Sequence, residues 1–272
     1  MKIIDVHTHP CFHGSLMSEE FRVAATENGI DFTLEGFLKE MDDNGVERAV
    51  AISESGQGDP HVAALKSDRI LPAIAVDYRV NDKQFLKTLE AALSNGIFKA
   101  IKLWVGYYHF APNERKCLPI YNLAQRYAVP IIIHTGDTWI SVTKKCLSKV
   151  RYSHPLHVDE VAVEFPEVKF VLAHSGNPWI DDASELAYKN ENVFVDISGW
   201  FLGEISGPYA RLMLEKLNFI VAYTGCDKIL YGSDWPLVRM EPYIRFVKEA
   251  GLSEQDLRKV FYDNALRVFW KH

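Results

Sequence analysis

The sequence predicts a single-domain α/β protein, a (β/α)8 TIM barrel that spans residues 1–272. Eight short runs rich in valine and isoleucine recur along the chain, and amphipathic segments separate them. The runs are apolar throughout, which is typical of parallel strands buried on both faces. The length is also close to the roughly 250 residues typical of such barrels. No repeat or linker-like tract divides the sequence, and a doubly wound open sheet is the competing fold.

Strands are predicted from the apolar runs, and helices from apolar residues repeated every three or four positions. The predicted strands are residues 2–6, 48–53, 70–77, 98–104, 129–134, 168–174, 193–198 and 229–234. The predicted helices are residues 34–44, 82–95, 118–127, 180–190, 209–223, 241–250 and 253–270. Gly45 ends the first of these helices. Ser253, with Asp256 three positions later, caps the last one.

The composition predicts an ordinary globular protein of the cytoplasm. The net charge of −6 disfavours a general role in nucleic-acid binding. No apolar window reaches the length of about 18 residues that a membrane span needs, and Asp5 comes too early for a signal peptide. The four cysteines are scattered without a paired spacing, which fits a reducing compartment. We therefore expect neither a nucleic-acid nor a membrane partner.

Four of the ten histidines stand where predicted strands end. His7 and His9 follow the first strand, His134 ends the fifth, His174 ends the sixth, and Asp234 ends the eighth. All strand C-termini of a parallel barrel open onto one face, so these five residues are expected to converge. A lone buried histidine is more often a hydrogen-bonded core residue than a ligand, but the combined placement favours a metal site. Imidazoles with a carboxylate suit Zn²⁺ first among the divalent cations.

Four motifs at these strand ends resemble the amidohydrolase superfamily. They are DVHTH at 5–9, PIIIH at 130–134, VLAHSG at 171–176 and YGSDWP at 231–236. Three further segments look like the amidohydrolase-related branch that contains aminocarboxymuconate-semialdehyde decarboxylase: FKAIKL at 98–103, HPLH at 154–157 and Asp263-Asn264-Ala265. The motifs extend over positions 5–265, almost the whole chain. The resemblance implies a (β/α)8 barrel with one or two divalent metal ions.

By this resemblance, His7, His9, His134 and Asp234 would bind one metal ion together with a water molecule. His174 would lie beside that water as the acid/base catalyst, and Asp234 would both bind the ion and contact the water. A catalytic metal keeps a position open for water and makes that water more acidic. An imidazole exchanges protons near neutral pH, which suits this role. Zn²⁺ is the expected ion, with Mn²⁺, Fe²⁺ and Co²⁺ as alternatives.

Lys102 ends the fourth predicted strand and has more than one interpretation. Two-metal members of the superfamily carry a carboxylated lysine here that bridges both ions. The context of Lys102, followed by Leu103 and Trp104, looks more like the single-metal branch, in which this lysine is commonly unmodified. One metal is therefore expected. Lys102 would then contact substrate or pair with a carboxylate such as that of Asp77.

Residues that follow the predicted strands are candidates for lining a substrate pocket. The segment 135–153 is long and basic, which would suit a substrate that carries a carboxylate, although a solvated loop is the simpler interpretation. Its cationic residues are Lys144, Lys145, Lys149 and Arg151. Aromatic side chains with a few polar groups are typical of small-molecule pockets, although some must simply pack. The candidates are Trp104, Tyr107, Trp139, Ser198, Trp200, Trp235 and Arg239.

Four functions are compatible with these residues. The leading hypothesis is hydrolysis of a small-molecule ester, lactone or amide bond by a metal-activated water. The alternative is non-oxidative decarboxylation of an unsaturated or aromatic acid, because no residue can be assigned uniquely to either reaction. A TatD-like nuclease is less favoured, since that group usually carries a glutamate where this chain has Lys102, and a barrel that only binds ligands is least favoured. Related barrels are often dimers, so the resemblance also implies a homodimer.

Overall fold

The computed structural model describes residues 1–10, 23, 25–53, 68–76, 82–136 and 148–270. These residues form one eight-stranded sheet in the order β1 to β8, and all seven neighbouring pairs are parallel. The strands are β1 (Ile3–Thr8), β2 (Val46–Ile52), β3 (Ile70–Val76), β4 (Ala100–Leu103), β5 (Ile131–His134), β6 (Phe170–Ala173), β7 (Val193–Asp196) and β8 (Ile229–Leu230). A doubly wound sheet would place its strands out of chain order, so the predicted (β/α)8 barrel is confirmed.

The barrel closes between β1 and the residues that follow β8. The Asp234 N–H donates to the His7 carbonyl at 2.9 Å, and the His9 N–H donates to the Trp235 carbonyl at 2.7 Å. We call this junction the β1–β8 seam. It brings His7 of β1, and His9 just after β1, next to Asp234, although Asp234 lies more than 220 positions away in the sequence.

In the described part of the chain, helices follow every strand except β2 and cover the outside of the barrel. They are α1 (Leu34–Asp43), α2 (Lys83–Ser94), α3 (Val105–Tyr108), α4 (Leu118–Arg126), α5 (His157–Glu164), α6 (Ile180–Lys189), α7 (Gly207–Thr224), α8 (Met240–Lys248) and α9 (Glu254–Arg258). Short 3₁₀ turns occupy Arg115–Cys117, Val150–Tyr152, His174–Gly176 and Cys226–Lys228. Across the described residues, no helix combines the length and the apolar character that crossing a membrane requires.

Two layers of apolar side chains form the core, because alternate residues of a strand face opposite sides of the sheet. Ile4 and Val6 of β1 belong to the cluster inside the barrel, whereas Ile3 belongs to the cluster between strands and helices. Val268 and Phe269 from the C-terminal segment join the inner cluster. The polar site residues follow the apolar part of the strands, so the site lies at the C-terminal end of the barrel.

The eighth strand is shorter than predicted because its backbone changes partners. β8 ends at Leu230, whereas the predicted strand continued to residue 234. The Tyr231 N–H donates to the Val260 carbonyl at 3.1 Å, and the Tyr231 carbonyl accepts from the Val6 N–H at 3.0 Å. These bonds join the end of β8 to β1 and to the C-terminal segment instead of β7. The seventh strand likewise ends at Asp196 and not at residue 198.

The C-terminal helix begins where predicted but does not continue as a regular α-helix. The Ser253 hydroxyl accepts from the Asp256 N–H at 3.1 Å, which confirms the predicted cap. α9 ends at Arg258, and π-helical turns follow at Lys259–Asp263 and Leu266–Trp270. The continuous α-helix predicted for residues 253–270 is therefore wrong beyond its first turns, where the hydrogen bonds widen to an i→i+5 pattern.

Candidate metal centre and active site

Three of the predicted metal ligands meet at the β1–β8 seam. Nε2 of His9 lies 3.2 Å from Oδ1 of Asp234, and Nε2 of His7 lies 3.7 Å from the same oxygen. One ligand atom from each residue lies within 4.8 Å of the other two, and all three side chains are buried. Ligand atoms about 2.0–2.1 Å from a tetrahedral ion are about 3.4 Å apart, so this spacing suits one divalent cation.

The Asp234 carboxylate has the burial and charge expected beside a cation. Its Oδ1 is buried, and no donor in the described part of the chain makes an aligned hydrogen bond with it. Burial acts to raise the pKa of Asp234, but the histidines around it outweigh burial and hold this pKa well below its usual range. An ionised, buried oxygen without a hydrogen bond is costly unless a cation stands beside it. The residues present therefore fit a divalent metal ion.

The backbone is strained at both predicted catalytic residues. His174 and Asp234 have φ angles of 60° and 64°, in the left-handed region that residues other than glycine rarely adopt. Such conformations cost on the order of 1–3 kcal/mol and concentrate at functional sites. Hydrogen bonds hold both residues there, from the Asp234 N–H to the His7 carbonyl and from the His174 N–H to Oδ1 of Asp196.

His134 lies beside His174 and not within the cluster at the seam. Its Nδ1 is 3.2 Å from Nε2 of His174, and the two ring centres are 4.8 Å apart. Two groups of the described residues have ligand atoms close enough to hold an ion: the seam cluster, and His7 with His174 and Asp196. His134 belongs to neither group. Both rings nevertheless line the same cavity. The role of His134 as a metal ligand therefore stays a prediction.

Matching of donors and acceptors assigns the ring protons of these two histidines. Nδ1 of His174 lies 3.2 Å from the Ser198 carbonyl oxygen, which can only accept, and 3.1 Å from the Ser198 hydroxyl, whose proton goes to Oδ1 of Asp196. Nδ1 of His174 therefore carries the proton. Nε2 of His174 is then an acceptor, and it accepts from Nδ1 of His134 at 3.2 Å. Nε2 of His134 then carries a lone pair. His174 thus has its basic atom at Nε2, and His134 presents a nitrogen suited to a metal ion.

Asp196 is the main residue of the site that sequence reasoning missed. It ends β7 and is fully buried, and its Oδ2 lies 2.9 Å from Nδ1 of His7. Burial acts to raise the pKa of Asp196, but the neighbouring His7 and the hydrogen bonds outweigh burial, and the pKa is lowered. The signal was available, because Asp196 is the one charged residue in the predicted strand 193–198.

Lys102 contacts the cluster from within the barrel. Its side chain is fully buried, with Nζ 3.2 Å from Nε2 of His7 and 4.9 Å from the centre of the Trp104 ring. Burial, and then the charge of Lys102, lower the pKa of His7 to about 3. His7 is therefore neutral at pH 7, as a metal ligand must be. Lys102 is not among the residues that line the cavity, and its predicted partner Asp77 lies outside the described residues.

A cavity of about 370 Å³ opens beside the cluster. Its lining, within the described residues, is His9, Trp104, Tyr107, His134, His174, Gly199, Trp200, Phe201, Leu202, Glu204, Ser206, Tyr209, Asp234 and Leu237. Trp104, Tyr107 and Trp200 thus occupy the positions predicted for pocket residues. The wall is mainly aromatic with a few polar groups, which is typical of a small-molecule site.

The other described candidates do not line the cavity. Ser198 and Trp235 are fully buried and do not reach the cavity. Arg239 is mostly exposed, and its Nε lies 3.9 Å from Oε1 of Glu40. Lys149 and Arg151 of the basic segment are described but are not part of the lining. Outside the described residues lie Trp139, Lys144 and Lys145.

Gly199 allows the two catalytic candidates to approach each other. Its φ is 66°, and a Cβ at this position would lie 2.3 Å from Nδ1 of His174 and 2.7 Å from Oδ2 of Asp234. Any side chain would therefore overlap atoms of the site in addition to straining the backbone.

Comparison with known proteins identifies the family. A family model described as Amidohydrolase (Amidohydro_2) matches residues 4–270. Gamma-resorcylate decarboxylase of Polaromonas sp. (strain JS666) is 22% identical over 245 residues, which cover 78% of this chain and 67% of that protein. Protein fluG of Emericella nidulans is 35% identical over 107 residues, which cover 39% of this chain and 11% of fluG.

Solved structures share the fold over the whole chain. An uncharacterized TIM-barrel protein of Bordetella bronchiseptica has a TM-score of 0.78 and 20% identity, with 98% of each chain covered. An amidohydrolase of Burkholderia multivorans with bound zinc has a TM-score of 0.74 and 15% identity over 99% of each chain. A dihydroxybenzoic acid decarboxylase of Polaromonas sp. JS666 with bound manganese has a TM-score of 0.68 and 14% identity, covering 98% of this chain and 96% of the other. Because the family match extends over nearly the whole chain, this protein belongs to the Amidohydrolase family and is an enzyme of the amidohydrolase superfamily.

Proposed function

We propose that this enzyme is a metal-dependent hydrolase that uses water to cleave an ester, lactone or amide bond of a small molecule. The observation that carries the proposal is which ring nitrogen of His174 carries the proton. The Ser198 carbonyl keeps the proton on Nδ1, so Nε2 is the basic atom of a ring that lines the same cavity as Asp234. A base fixed in this way beside a metal site suits the activation of water.

One divalent ion is proposed, bound by His7, His9 and Asp234, with His134 completing the set. The bound ion would polarise the carbonyl group of the substrate and make a water molecule more acidic. Zn²⁺ is the first choice, because nitrogen ligands with one carboxylate suit it and the Burkholderia multivorans amidohydrolase binds it. Mn²⁺ is the second, since it is bound in the Polaromonas decarboxylase.

In the proposed reaction His174 first accepts one proton and then donates one. Its Nε2 accepts a proton from the attacking water as the new C–O bond forms, and the protonated ring then donates to the departing oxygen or nitrogen. This requires His134 to leave Nε2 of His174, which it would do on binding the ion. The Ser198 carbonyl keeps the His174 ring in place throughout, because it accepts from Nδ1. Trp104 and Trp200 would hold the apolar part of the substrate.

Decarboxylation of an unsaturated or aromatic acid is the second candidate. The similarity to gamma-resorcylate decarboxylase supports it, and His174 would then donate a proton to the carbon that loses CO₂. Against it, Glu204 places an acidic side chain in the cavity wall and, among the described residues, no lysine or arginine lines the cavity to pair with a substrate carboxylate. We therefore rank hydrolysis first.

The test is turnover by the Zn²⁺- or Mn²⁺-loaded enzyme on two panels, one of esters, lactones and amides, the other of dihydroxybenzoates and related acids. Hydrolysis in ¹⁸O-labelled water is expected to place one ¹⁸O atom in the product acid without release of CO₂. Chelation is expected to abolish turnover, and added metal to restore it. CO₂ release from the aromatic acids, with no activity on the first panel, would contradict the proposal.

A further inference from the structure

We propose that Asp196 is a positioning residue that fixes the tautomer of His7 and so presents Nε2 of His7 to the metal ion as an unprotonated ligand. The inference rests on the proposed function only in that it takes His7 as a metal ligand. Asp196 ends β7, and its carboxylate is fully buried, so its hydrogen bonds inside the protein decide its role.

The two carboxylate oxygens of Asp196 have different partners. Oδ1 accepts from the backbone N–H groups of Ser198 and His174, each at 3.0 Å, and from the Ser198 hydroxyl. Oδ2 faces Nδ1 of His7 at 2.9 Å. The Ser198 hydroxyl oxygen also lies 3.0 Å from Nδ1 of His7, but its proton goes to Oδ1 of Asp196, so it too can only accept from Nδ1. Because backbone N–H groups cannot rotate away, the carboxylate has one orientation. An ionised carboxylate can only accept hydrogen bonds, so Nδ1 of His7 carries the proton.

The opposite edge of the His7 ring favours the same tautomer. Nζ of Lys102 lies 3.2 Å from Nε2 of His7, and both side chains are fully buried. An ammonium group can only donate, so Nε2 of His7 must offer its lone pair. This is also the atom that lies 3.7 Å from Oδ1 of Asp234, on the side of the proposed ion. Asp196 and Lys102 thus favour the same tautomer from opposite edges of the ring, and Nε2 gives up the Lys102 hydrogen bond when its one lone pair binds the ion.

Asp196 also connects the metal side of the site with the acid/base side. The Oδ1 that orients the carboxylate accepts from the N–H of His174, which holds the left-handed φ of 60°. A carboxylate bonded to a metal-binding histidine fixes the ring and typically changes metal affinity by about 10- to 100-fold. Here the same group also supports the backbone of the proposed acid/base residue.

The test replaces Asp196 by asparagine, which has the same shape but one donor group. The asparagine oxygen must still accept from the N–H groups of Ser198 and His174, so its NH₂ group must face His7. Nδ1 of His7 would then accept, and its proton would move to Nε2, where it opposes Lys102 and blocks a metal ion. ¹⁵N NMR of the metal-free D196N protein at pH 8 is expected to show this proton on Nε2, against Nδ1 in the wild type.

A second readout is the affinity for Zn²⁺, measured by competition with a chromophoric chelator. It is expected to fall about 10- to 100-fold in D196N. The ring signal of His7 is identified by its loss in H7Q.

Asp5→Asn is the matched control. Asp5 is also fully buried, but its Oδ1 accepts from the backbone N–H groups of His7 and Ser233, at 3.1 and 3.0 Å, and an asparagine oxygen keeps both bonds. D5N is expected to retain the wild-type tautomer and Zn²⁺ affinity.

Three results would overturn the inference. The first, which needs no variant, is a wild-type His7 protonated on Nε2. The others are a D196N protein that keeps the Nδ1 proton and one that keeps the wild-type affinity. The tautomer is read without metal or substrate, so a failure of the hydrolase proposal would not be mistaken for a failure of this one.

Discussion

The two sides of the cavity are built in different ways. On the side of the β1–β8 seam, backbone pairing brings His9 and Asp234 together, and the Asp234 N–H donates to the His7 carbonyl at 2.9 Å. On the far side, at the ends of β5 and β6, His134 and His174 meet through their rings at 3.2 Å.

Because of this difference, the fold alone positions the residues at the seam, whereas the position of His134 can depend on a bound ion. Strand pairing sets the spacing of the seam ligands before any ion binds, whereas a side chain such as that of His134 can change rotamer at small cost. The ring of His134 can therefore leave its contact with Nε2 of His174 and bind an ion instead. We expect the seam side to determine metal affinity and the far side to determine proton transfer.

Asp234→Asn is the substitution with the largest expected effect. Asparagine keeps the shape of the side chain but removes the negative charge, so the affinity for Zn²⁺ should fall by at least about 100-fold, and turnover with it. His134→Asn should lose clearly less affinity, because the seam ligands remain in place. Chelator competition and kcat/KM measure both effects. Equal losses of affinity in the two variants would refute the comparison.

The control for these variants is Asp181→Asn. Asp181 is an exposed carboxylate at the start of α6, paired with Lys216 at 2.9 Å. Exposed pairs contribute little, so affinity and turnover should stay at the wild-type level.

Gly199→Ala tests the contact between the two sides. The added methyl group would lie 2.3 Å from Nδ1 of His174, so the ring must move, and a displacement of about 1 Å can lower kcat/KM about 100-fold. Gly96→Ala is the matched control, because Gly96 has a φ of 72° and nothing within 4 Å of its Cβ position. Both variants carry the left-handed strain, and steady-state kinetics should separate them. Equal kcat/KM in the two would show that Gly199 does not set the position of His174.

Much of the barrel and of the seam could be predicted from local patterns. Apolar runs locate the strands, and the rule that parallel strand ends converge places His7, His9 and Asp234 in one cluster, as the structure shows. The left-handed φ of Asp234 could not be predicted, because this conformation is expected from a sequence mainly where a glycine stands. It arises from hydrogen bonds between segments that are far apart in the chain.

Asp196 shows a second limit of sequence reasoning. Its position at a strand end was visible, but its partners are the ring of His7 and the backbone of His174, 189 and 22 positions away. Such contacts depend on the register of three strands. The placement of His134 has the same cause, since a rotamer decides whether its ring contacts His174 or the seam cluster.

The free energy of unfolding should depend on pH through Asp5, a buried residue of β1. Burial raises the pKa of Asp5 to about 7, from an ordinary value of 3.8. Between these pH values the folded state holds a proton that the unfolded chain has lost, so the free energy of unfolding decreases as the pH rises. At about 1.4 kcal/mol per pKa unit, this loss between pH 5 and 8 is about 2–3 kcal/mol.

Asp5→Asn removes the carboxyl group and should flatten this dependence. Urea unfolding of the metal-free wild type and D5N at pH 5, 6, 7 and 8 measures it, with D181N as the reference for an exposed carboxylate. Parallel curves for the wild type and D5N would show that Asp5 ionises normally.

The seam is also supported from outside by α1. Oε2 of the buried Glu40 accepts from Nε1 of Trp235 at 3.1 Å, and its Oε1 accepts from the Met240 N–H at 2.8 Å. These two bonds fix both ends of the segment 235–240, which follows Asp234. A carboxylate satisfies both donors at once, whereas an amide offers one oxygen.

Glu40→Gln is therefore expected to have the smallest effect of the four. Its NH₂ group must oppose either Trp235 or Met240, and one buried donor left unpaired costs about 1–3 kcal/mol of the free energy of unfolding. The affinity for Zn²⁺ should change far less than in D234N, because the backbone of Asp234 stays bonded to His7. Urea unfolding with the exposed Glu167→Gln as control measures the first effect. A loss of affinity as large as that of D234N would mean that α1, and not strand pairing, sets the seam.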